Sequence, residues 1–375
     1  MPPQFRADHV GSLLRPAALL NARANPSMDR DALTRLEDEA ILAALDRQRA
    51  AGLQIFTDGE FRRAGFMSDF YESVEGLDRG GEVQRSWTGA SARVGGTSGV
   101  ASGGAAGIAV EKVRQTKPLT SAELDFLLQH AHGAIKVTLP SANQFPAIAY
   151  KRDRSAAAYP TYSSFLWDIV PIIKAEVKRL ADAGVRYIQI DAPRYSYYID
   201  PKWREHIRNE MGLDPEAALD EAIRADNECF AGARGTGATL AIHLCRGNNR
   251  SQWYAEGGYD PIAEQLFQGL DADLFLLEYE SERAGTFAPL RFVPKTKSVV
   301  LGLVSSKVAA LESQDQLLSR IDEASRIVPI DQLALSPQCG FASAMEGNLL
   351  TESDQWRKLE LIVETAARVW PHQSM

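Results

Sequence analysis

The residues of this chain best suited to chemistry are His243 and Cys245, which stand two positions apart in the segment AIHLCRGNNR. The chain has only 6 His and 3 Cys in 375 residues, and this pair closes an apolar run. Glu278 and Cys339 follow later apolar runs in the same way. One histidine, two cysteines and one carboxylate form a set suited to tetrahedral zinc, and two thiolates argue against magnesium or calcium.

A packing role is the alternative for these side chains. Buried cysteines often behave as small apolar residues, so Cys245 and Cys339 would then be core residues and His243 a hydrogen-bonded one. Cys229, within a predicted helix, is expected to be such a packing residue.

Alternating helical and apolar segments predict the elements that position this set. Helical spacing of apolar residues covers residues 30–51, 165–183, 214–233, 261–269, 313–326 and 352–369. The runs between helices are short and apolar on both faces, which is typical of parallel strands: QIFTDGE, AIKVTLP, VRYIQIDAP, ATLAIHLCRG, ADLFLLEYES, KSVVLGLVSSK and DQLALSPQCG. The pattern favours an α/β fold of the closed (β/α)8 TIM barrel type. A doubly wound open sheet is the alternative, weakened because no G-x-G-x-x-G or P-loop motif follows the first strand.

The barrel prediction also defines the domain organisation. Residues 1–375 are expected to form a single catalytic barrel with an N-terminal extension. Residues 88–112, which include a Gly-, Ser- and Ala-rich run, are expected to be a flexible insertion or hairpin within it. Since reactive side chains of such barrels lie at the C-terminal ends of the strands, the four candidate ligands should converge at one mouth.

Composition narrows the class of protein further. A net charge of −8 argues against a nucleic-acid or anionic-membrane binder. No apolar stretch approaches the ~20 residues that cross a bilayer, and no basic-then-apolar leader is present. Three cysteines do not form a disulfide framework, so we expect a cytoplasmic protein with free thiols. The sequence leaves open whether the chain forms a homo-oligomer.

Several segments resemble the cobalamin-independent methionine synthase family, and more closely its short, single-barrel members. They are HLCRGNNR, LLEYESERAG, LGLVSSK and SPQCGFAS, with RADHVGSLLRP and FTDGEFRR near the N-terminus. By this resemblance the family's zinc ligands correspond to His243, Cys245, Glu278 and Cys339. The resemblance implies Zn²⁺ as cofactor and a cobalamin-independent transfer of a methyl group to the thiol of homocysteine, which gives methionine.

The resemblance also implies substrate contacts. Asp191 and Glu60 match acidic residues that contact the ammonium group of the amino acid, while Gly11 and Ser12 match a loop that holds the substrate. From the residues alone, Asp191 would instead be a helix N-cap and Glu60 the ion-pair partner of a neighbouring arginine.

Two further polar residues follow the ligand pair. Arg246 and Asn248 are expected to support the ligands or to contact an anion, with a solvated loop as the alternative.

Zinc has a specific use in this chemistry. A thiolate is the nucleophile, and zinc coordination deprotonates a bound thiol. With two thiolates and a carboxylate around the metal, a substrate sulfur should be held loosely, and Glu278 is the ligand expected to yield. Glu278 and Asp191 are therefore the candidate catalytic residues. A purely structural zinc is the alternative.

The sequence also departs from the long members of the family. They carry a histidine on the strand after the glutamate ligand, where this chain has Ser305, Ser306 and Lys307. The segment DAPRYSYYIDP differs as well, and its Arg194 with three tyrosines is expected to shape an unusual donor pocket, with packing against a neighbouring helix as the alternative. The methyl donor stays open between methyltetrahydrofolate, a methyl-corrinoid protein and another small methylated compound.

Three alternative functions stay open with it. They are alkyl transfer to another thiol such as coenzyme M, which the acidic pair disfavours, a metal-free barrel like uroporphyrinogen decarboxylase, and a binding protein with structural zinc.

Overall fold

Seven parallel strands form one curled sheet in this protein, whose structure, a computed structural model, describes residues 3–79, 87–89 and 107–371. The strands are β1 Ile55–Phe56, β4 Ala134–Pro140, β5 Tyr187–Asp191, β6 Thr239–Leu244, β7 Leu274–Glu278, β8 Ser298–Val304 and β9 Leu333–Pro337, and they are hydrogen-bonded in that order. Two further strands, β2 Val74–Asp78 and β3 Ile108–Gln115, form a separate pair. The fold is the TIM-barrel type that the sequence predicts.

The N-terminal segment packs between the first and last strands of this sheet. The backbone N–H of Asp8 donates to Leu335 O at 2.9 Å, and Leu335 N–H donates to Arg6 O at 2.9 Å, which makes a parallel bridge to β9. On the opposite side, Thr57 Oγ1 donates to Gly11 O at 2.9 Å, next to β1. The predicted N-terminal extension therefore contacts both edges of the seven-stranded sheet.

Helices cover the outside of the sheet at nearly the predicted positions. The starts of two long helices have clear local causes. Thr161 and Ser164 form a capping box at the start of the helix Tyr162–Asp182. Asp214 accepts from Ala217 N–H at the start of the helix Pro215–Phe230, whose first residue is proline. The helices are α1 Ala17–Ala24, α2 Arg30–Ala50, α3 Ser68–Glu72, α4 Ser121–His130, α5 Pro146–Ala149, α6 Arg152–Ser155, α7 Tyr162–Asp182, α8 Pro201–Asn209, α9 Pro215–Phe230, α10 Ala263–Gly269, α11 Gln314–Ser325 and α12 Glu352–Val369. None of the helices in the described ranges has the length and apolarity that crossing a bilayer requires.

The first predicted strand is shorter than expected. Only Ile55 and Phe56 of QIFTDGE are strand, because the chain turns immediately afterwards. Gly59 has φ +69° and Glu60 has φ +59°, and such left-handed backbone cannot continue a strand.

The segment around the predicted insertion contains an antiparallel pair of strands, β2 Val74–Asp78 and β3 Ile108–Gln115. The predicted insertion, residues 88–112, ends inside β3, and its residues 90–106 lie outside the described residues.

The apolar core has two parts. The larger part packs between the strands and the helices. The smaller part fills the inside of the sheet and consists of Phe5, Val10, Ile55, Tyr187, Ala241, Leu274, Leu276, Val300 and Ala334.

Candidate metal centre and substrate site

Three of the four predicted zinc ligands lie together at the C-terminal ends of the strands. His243 is in β6, Cys245 directly follows it, and Cys339 follows β9. Their ligand atoms all lie within 4.8 Å of one another, and all three residues are buried. We call this group the His–Cys–Cys cluster.

The cluster fits a zinc ion. The two Sγ atoms are 3.8 Å apart, too far for a disulfide, and this equals the spacing of about 3.8 Å expected for two sulfurs at ~2.3 Å from a tetrahedral ion. Neither ring nitrogen of His243 has a hydrogen-bond partner in the described part of the chain. A buried imidazole without partners is costly, and a metal ligand role would remove that cost.

The electrostatics of the cluster favour a charged donor set. The contact with Cys245 lowers the pKa of the Cys339 thiol well below its usual value, while the same contact raises the pKa of Cys245. Burial lowers the pKa of His243, but Cys339, Asp191 and Glu278 together raise it above its usual value. One thiol of the pair is therefore set to ionise beside the imidazole.

Glu278, the fourth predicted ligand, is held beside the cluster by arginine residues. Its Oε2 accepts from Arg246 N–H at 2.9 Å, and its Oε1 accepts from Arg283 Nη2 at 2.7 Å. Burial alone would raise the pKa of Glu278, but Arg283 and Arg246 bring it below its usual value. Glu278 is thus a buried, charged carboxylate at the end of β7, outside the group whose atoms lie within 4.8 Å.

Asp191 ends β5 and pairs in register with His243. Gln189 Nε2 donates to its Oδ1 at 2.7 Å. The pKa of Asp191 is raised to about 7, chiefly by burial, while the charge of His243 opposes the rise and the Glu60 carboxylate adds to it. The alternative role as an N-cap does not apply, since Ala192 holds the cap position of the next helical turn.

Glu60 has the features of a residue that contacts a ligand. Its backbone is left-handed, its Oε1 accepts from Thr138 Oγ1 at 2.9 Å, and its Oε2 has no partner among the described residues. The nearest arginine, Arg63, is 3.7 Å away and makes closer ion pairs with Asp69 and Glu123. Strain together with an unpaired buried oxygen is typical of binding residues.

Gly11 and Ser12 connect Glu60 with the cysteine loop. Gly11 has φ +146°, and a Cβ there would lie 3.1 Å from Glu60 Oε1. Ser12 Oγ accepts from Ala342 N–H at 3.3 Å, and a Cβ on Gly340 would lie only 2.0 Å from that oxygen. Glycine is therefore required at Gly11 and Gly340, so that the N-terminal loop can approach Glu60 on one side and the cysteine loop on the other.

Arg246 and Asn248 are buried rather than solvated. Arg246 Nη2 donates to Gly257 O at 2.6 Å. Asn248 Nδ2 donates to Gly340 O at 2.8 Å, while its Oδ1 accepts from Lys307 Nζ at 2.9 Å. These bonds hold the loop that follows Cys245.

The sequence reasoning missed a buried polar network below Asp191. Lys136 Nζ donates to Asp8 Oδ1 at 2.6 Å and to Gln189 Oε1 at 3.1 Å. Gln189 Nε2 in turn donates to Asp191 and, at 2.7 Å, to Val10 O. We call these residues the Lys136 network. Polar residues at every second position of AIKVTLP and YIQID were the signal that could have found it.

The chain is similar to known proteins over most of its length. A protein-family model described as cobalamin-independent synthase, catalytic domain, matches residues 15–367. The uncharacterized protein YxjH of Bacillus subtilis is 38% identical, with 98% of this chain and 95% of that protein covered. A methionine synthase of Saccharolobus solfataricus is 23% identical, with 95% and 92% covered.

Solved structures share the fold over the full length. A putative vitamin-B12-independent methionine synthase from Listeria monocytogenes has a TM-score of 0.73 and 29% identity, with 99% of both chains covered. A B12-independent methionine synthase from Shewanella, in complex with selenomethionine, has a TM-score of 0.71 and 20% identity, with 97% of both covered. At that identity the second likeness shows the fold alone.

Proposed function

The chain belongs to the cobalamin-independent methionine synthase family, and from that premise we propose that it is a zinc-dependent methyltransferase that methylates the thiol of homocysteine to give methionine. The observation that carries the proposal is the His–Cys–Cys cluster, buried at the strand ends next to Asp191 and Glu60. A metal-free decarboxylase would have no use for this arrangement.

The chain's residues have distinct roles in the proposal. His243, Cys245 and Cys339 would hold zinc, which when bound supplies the positive charge that converts a substrate thiol into a nucleophilic thiolate. Glu278 would be the fourth ligand and the one that makes room for the substrate thiol. Arg283, already bonded to its Oε1, offers the displaced carboxylate a partner.

The substrate's amino-acid part has its own partners. Glu60 and Asp191 bind the ammonium group, since one Glu60 oxygen has no donor among the described residues and Asp191 lies one strand from His243. Gly11 and Ser12 hold the substrate from the N-terminal side. A reducing, cytoplasmic setting belongs to the proposal, because it keeps both cluster cysteines as thiols.

Metal analysis tests the zinc site. We expect close to one zinc per chain in the purified protein, and loss of that zinc in Cys245→Ser and Cys339→Ser. Cys229→Ser is the matched control, because Cys229 is buried in α9 away from the strand ends and should leave the zinc content unchanged. Full zinc retention in both cluster variants would contradict the proposed site.

A product assay tests the reaction. The zinc-loaded protein is incubated with homocysteine and in turn with methyltetrahydrofolate, a methyl-corrinoid protein and small methylated compounds, and methionine is measured. We expect methionine with one donor class and none from Cys339→Ser. Methylation of coenzyme M in place of homocysteine would contradict the assignment of the thiol.

A further inference from the structure

Lys307 is a buried cation in the loop that follows β8, with 6% of it exposed. Its Nζ donates to Gly247 O and to Asn248 Oδ1, both at 2.9 Å, and to Gln252 O at 3.4 Å. An ammonium group carries three hydrogens, so these three uncharged oxygens use all of its donors. Because all three acceptors belong to the loop that follows Cys245, Lys307 fixes that loop to the end of β8.

Asn248 extends this link to the loop that follows Cys339. Its Nδ2 donates to Gly340 O at 2.8 Å and to Ser343 Oγ at 3.1 Å. Since Lys307 donates to the amide oxygen of Asn248, the amide nitrogen is turned toward the second loop. The two loops that carry the cluster cysteines are therefore joined through one lysine and one amide.

Ser343 brings the link to a sulfur atom of the cluster. Its Oγ lies 3.8 Å from Cys339 Sγ, within hydrogen-bond distance for sulfur. The Ser343 oxygen already accepts an N–H from Asn248, so its own proton is free to point at the sulfur. A thiolate has no proton, so with Cys339 ionised the hydroxyl donates and the sulfur accepts. We call Lys307, Asn248 and Ser343 the sulfur relay.

The second cysteine of the cluster has no equivalent hydroxyl. In the described part of the chain, the hydrogen-bond contact of Cys245 Sγ is with the sulfur of Cys339, at 3.8 Å. A hydrogen bond stabilises a thiolate and lowers its nucleophilicity, since nucleophilicity falls with the pKa of the thiol. The sulfur relay therefore lowers the reactivity of one cluster sulfur and leaves the other unchanged.

This difference matters for the methyl transfer proposed above, on which this role rests. Two protein sulfurs would lie beside the substrate sulfur, and a methyl donor can alkylate any sulfur that attacks it. We propose that Lys307, Asn248 and Ser343 are positioning residues that join the two cysteine loops and direct a hydroxyl hydrogen bond onto Cys339 Sγ. That bond keeps Cys339 a metal ligand rather than a methyl acceptor.

Zinc affinity tests the connection between the loops. In competition with a chelator of known zinc affinity, Lys307→Met and Asn248→Ala should each bind zinc about 10- to 100-fold more weakly than the wild type, as expected when a residue that orients metal ligands is lost. Lys307→Arg keeps the charge and should recover part of this affinity. The double variant should bind no more weakly than the weaker single variant, because both residues act through one link.

Two lysine variants control for other causes of weaker binding. Lys295→Met removes an exposed lysine from the loop before β8, at the opposite end of the strand, and should keep the zinc affinity of the wild type. Lys136→Met removes the buried cation of the Lys136 network and should lose stability without losing zinc affinity. Equal weakening in Lys136→Met and Lys307→Met, or unchanged affinity in Lys307→Met, overturns the proposal.

Methyl iodide tests the effect on the sulfur itself. A cysteine sulfur attacks the methyl carbon, an S–C bond forms, and iodide leaves with the electron pair of the C–I bond, so the peptide gains one CH₂ unit in mass. In zinc-loaded protein without homocysteine, Ser343→Ala should methylate Cys339 about 3- to 10-fold faster than the wild type, since one charge-assisted hydrogen bond is lost. Ser343→Thr keeps the hydroxyl and should keep the rate of the wild type.

The rate at Cys245 is the internal control and should not change in Ser343→Ala. Equal acceleration at both cysteines, or none at Cys339, overturns the proposal. Neither measurement depends on methionine formation, so faster methylation of Cys339 with weaker zinc binding in Lys307→Met supports the sulfur relay even if no methionine is formed. A wild type that makes methionine, with both measurements unchanged in the variants, overturns the sulfur relay alone.

Discussion

Glu60 combines a strained backbone with a buried carboxylate. Its φ of +59° is unusual for a residue with a side chain, and strain of this kind costs on the order of 1–3 kcal/mol. Its Oε2 meets no donor in the described structure, while Thr138 and the Gly11 turn fix its position. In the proposed function the free protein gives up stability to hold this carboxylate in place for the ammonium group of the substrate.

Removing this charge should separate stability from binding. Glu60→Gln keeps the shape of the side chain. Burial raises the pKa of Glu60, so the wild type loses stability as pH rises above the pKa of ~4.3 that this carboxyl has in the unfolded chain. We expect the variant to unfold at higher urea than the wild type at pH 8, with a KM for homocysteine about 30-fold higher, since a charge-assisted bond contributes ~2 kcal/mol. Glu39→Gln, on the surface of α2, is the control. A less stable variant with unchanged KM would contradict this role.

Asp226 should make stability depend on pH. Burial raises its pKa to about 7 although its bonds to Ser141 and Tyr195 lower it. Between about pH 4 and pH 7 the native state then binds more protons than the unfolded state, so stability falls as pH rises. Relative to Asp226→Asn, the wild type should lose on the order of 3 kcal/mol across this window and show no further difference above it. Urea unfolding from pH 4.5 to 8.5 measures this, with exposed Asp182→Asn as a control that should follow the wild type.

At the scale of secondary-structure elements, the Lys136 network joins three parts of the barrel. Lys136 is in β4 and Gln189 in β5, and both donate to the N-terminal segment, through Asp8, His9 O and Val10 O. Because Lys136 Nζ donates to the side-chain carbonyl oxygen of Gln189, the side-chain nitrogen of Gln189 faces Asp191. One buried cation therefore fixes both the Asp191 carboxylate and the loop that begins at Gly11.

Breaking this network should affect stability and substrate binding together. Lys136→Met leaves Asp8 buried without its charge partner, which costs about 3–5 kcal/mol. Asp8→Asn in the same chain should recover part of the loss, because the uncompensated charge is then gone. Urea unfolding of the four proteins of this cycle measures the coupling, and KM for homocysteine should rise in Lys136→Met. Additive changes in the free energy of unfolding would mean that Lys136 and Asp8 act independently, which would contradict the prediction.

The sequence predicts much at this scale because strand ends converge in a barrel. The periodic pattern located β6, β7 and β9, and the barrel geometry then brought His243, Cys245 and Cys339 together. The orientation of Glu278 could not be predicted, since it depends on Arg283 in the following loop and on a backbone N–H of another strand end.

At the scale of the whole molecule, the N-terminal segment contacts both the last strand of the sheet and the loop that follows it. Asp8 bonds to Leu335 in the sheet, and Ser12 bonds to Ala342 at the mouth. These contacts join residues more than three hundred positions apart, as the separation of 330 between Ser12 and Ala342 shows. The candidate site therefore depends on both ends of the described sheet.

A substitution at this junction should report on it. The Cβ of Gly340→Ala would lie 2.0 Å from Ser12 Oγ, so we expect a loss of about 1–3 kcal/mol in the free energy of unfolding. Ser12→Gly in the same chain should recover part of that loss. Gly269→Ala, whose Cβ would approach Ile223 no closer than 3.3 Å, is the control and should change stability much less. Equal losses in the two alanine variants would contradict a tight junction, and urea unfolding measures both.

This junction has a consequence for biosynthesis. Translation delivers the Asp8 and Ser12 segment more than three hundred residues before Leu335, Cys339 and Ala342. Until those residues have been made, the nascent chain lacks the second cysteine of the cluster and the strand that flanks its N-terminal segment. The candidate site can therefore form only after β9 and the loop that follows it have been synthesised.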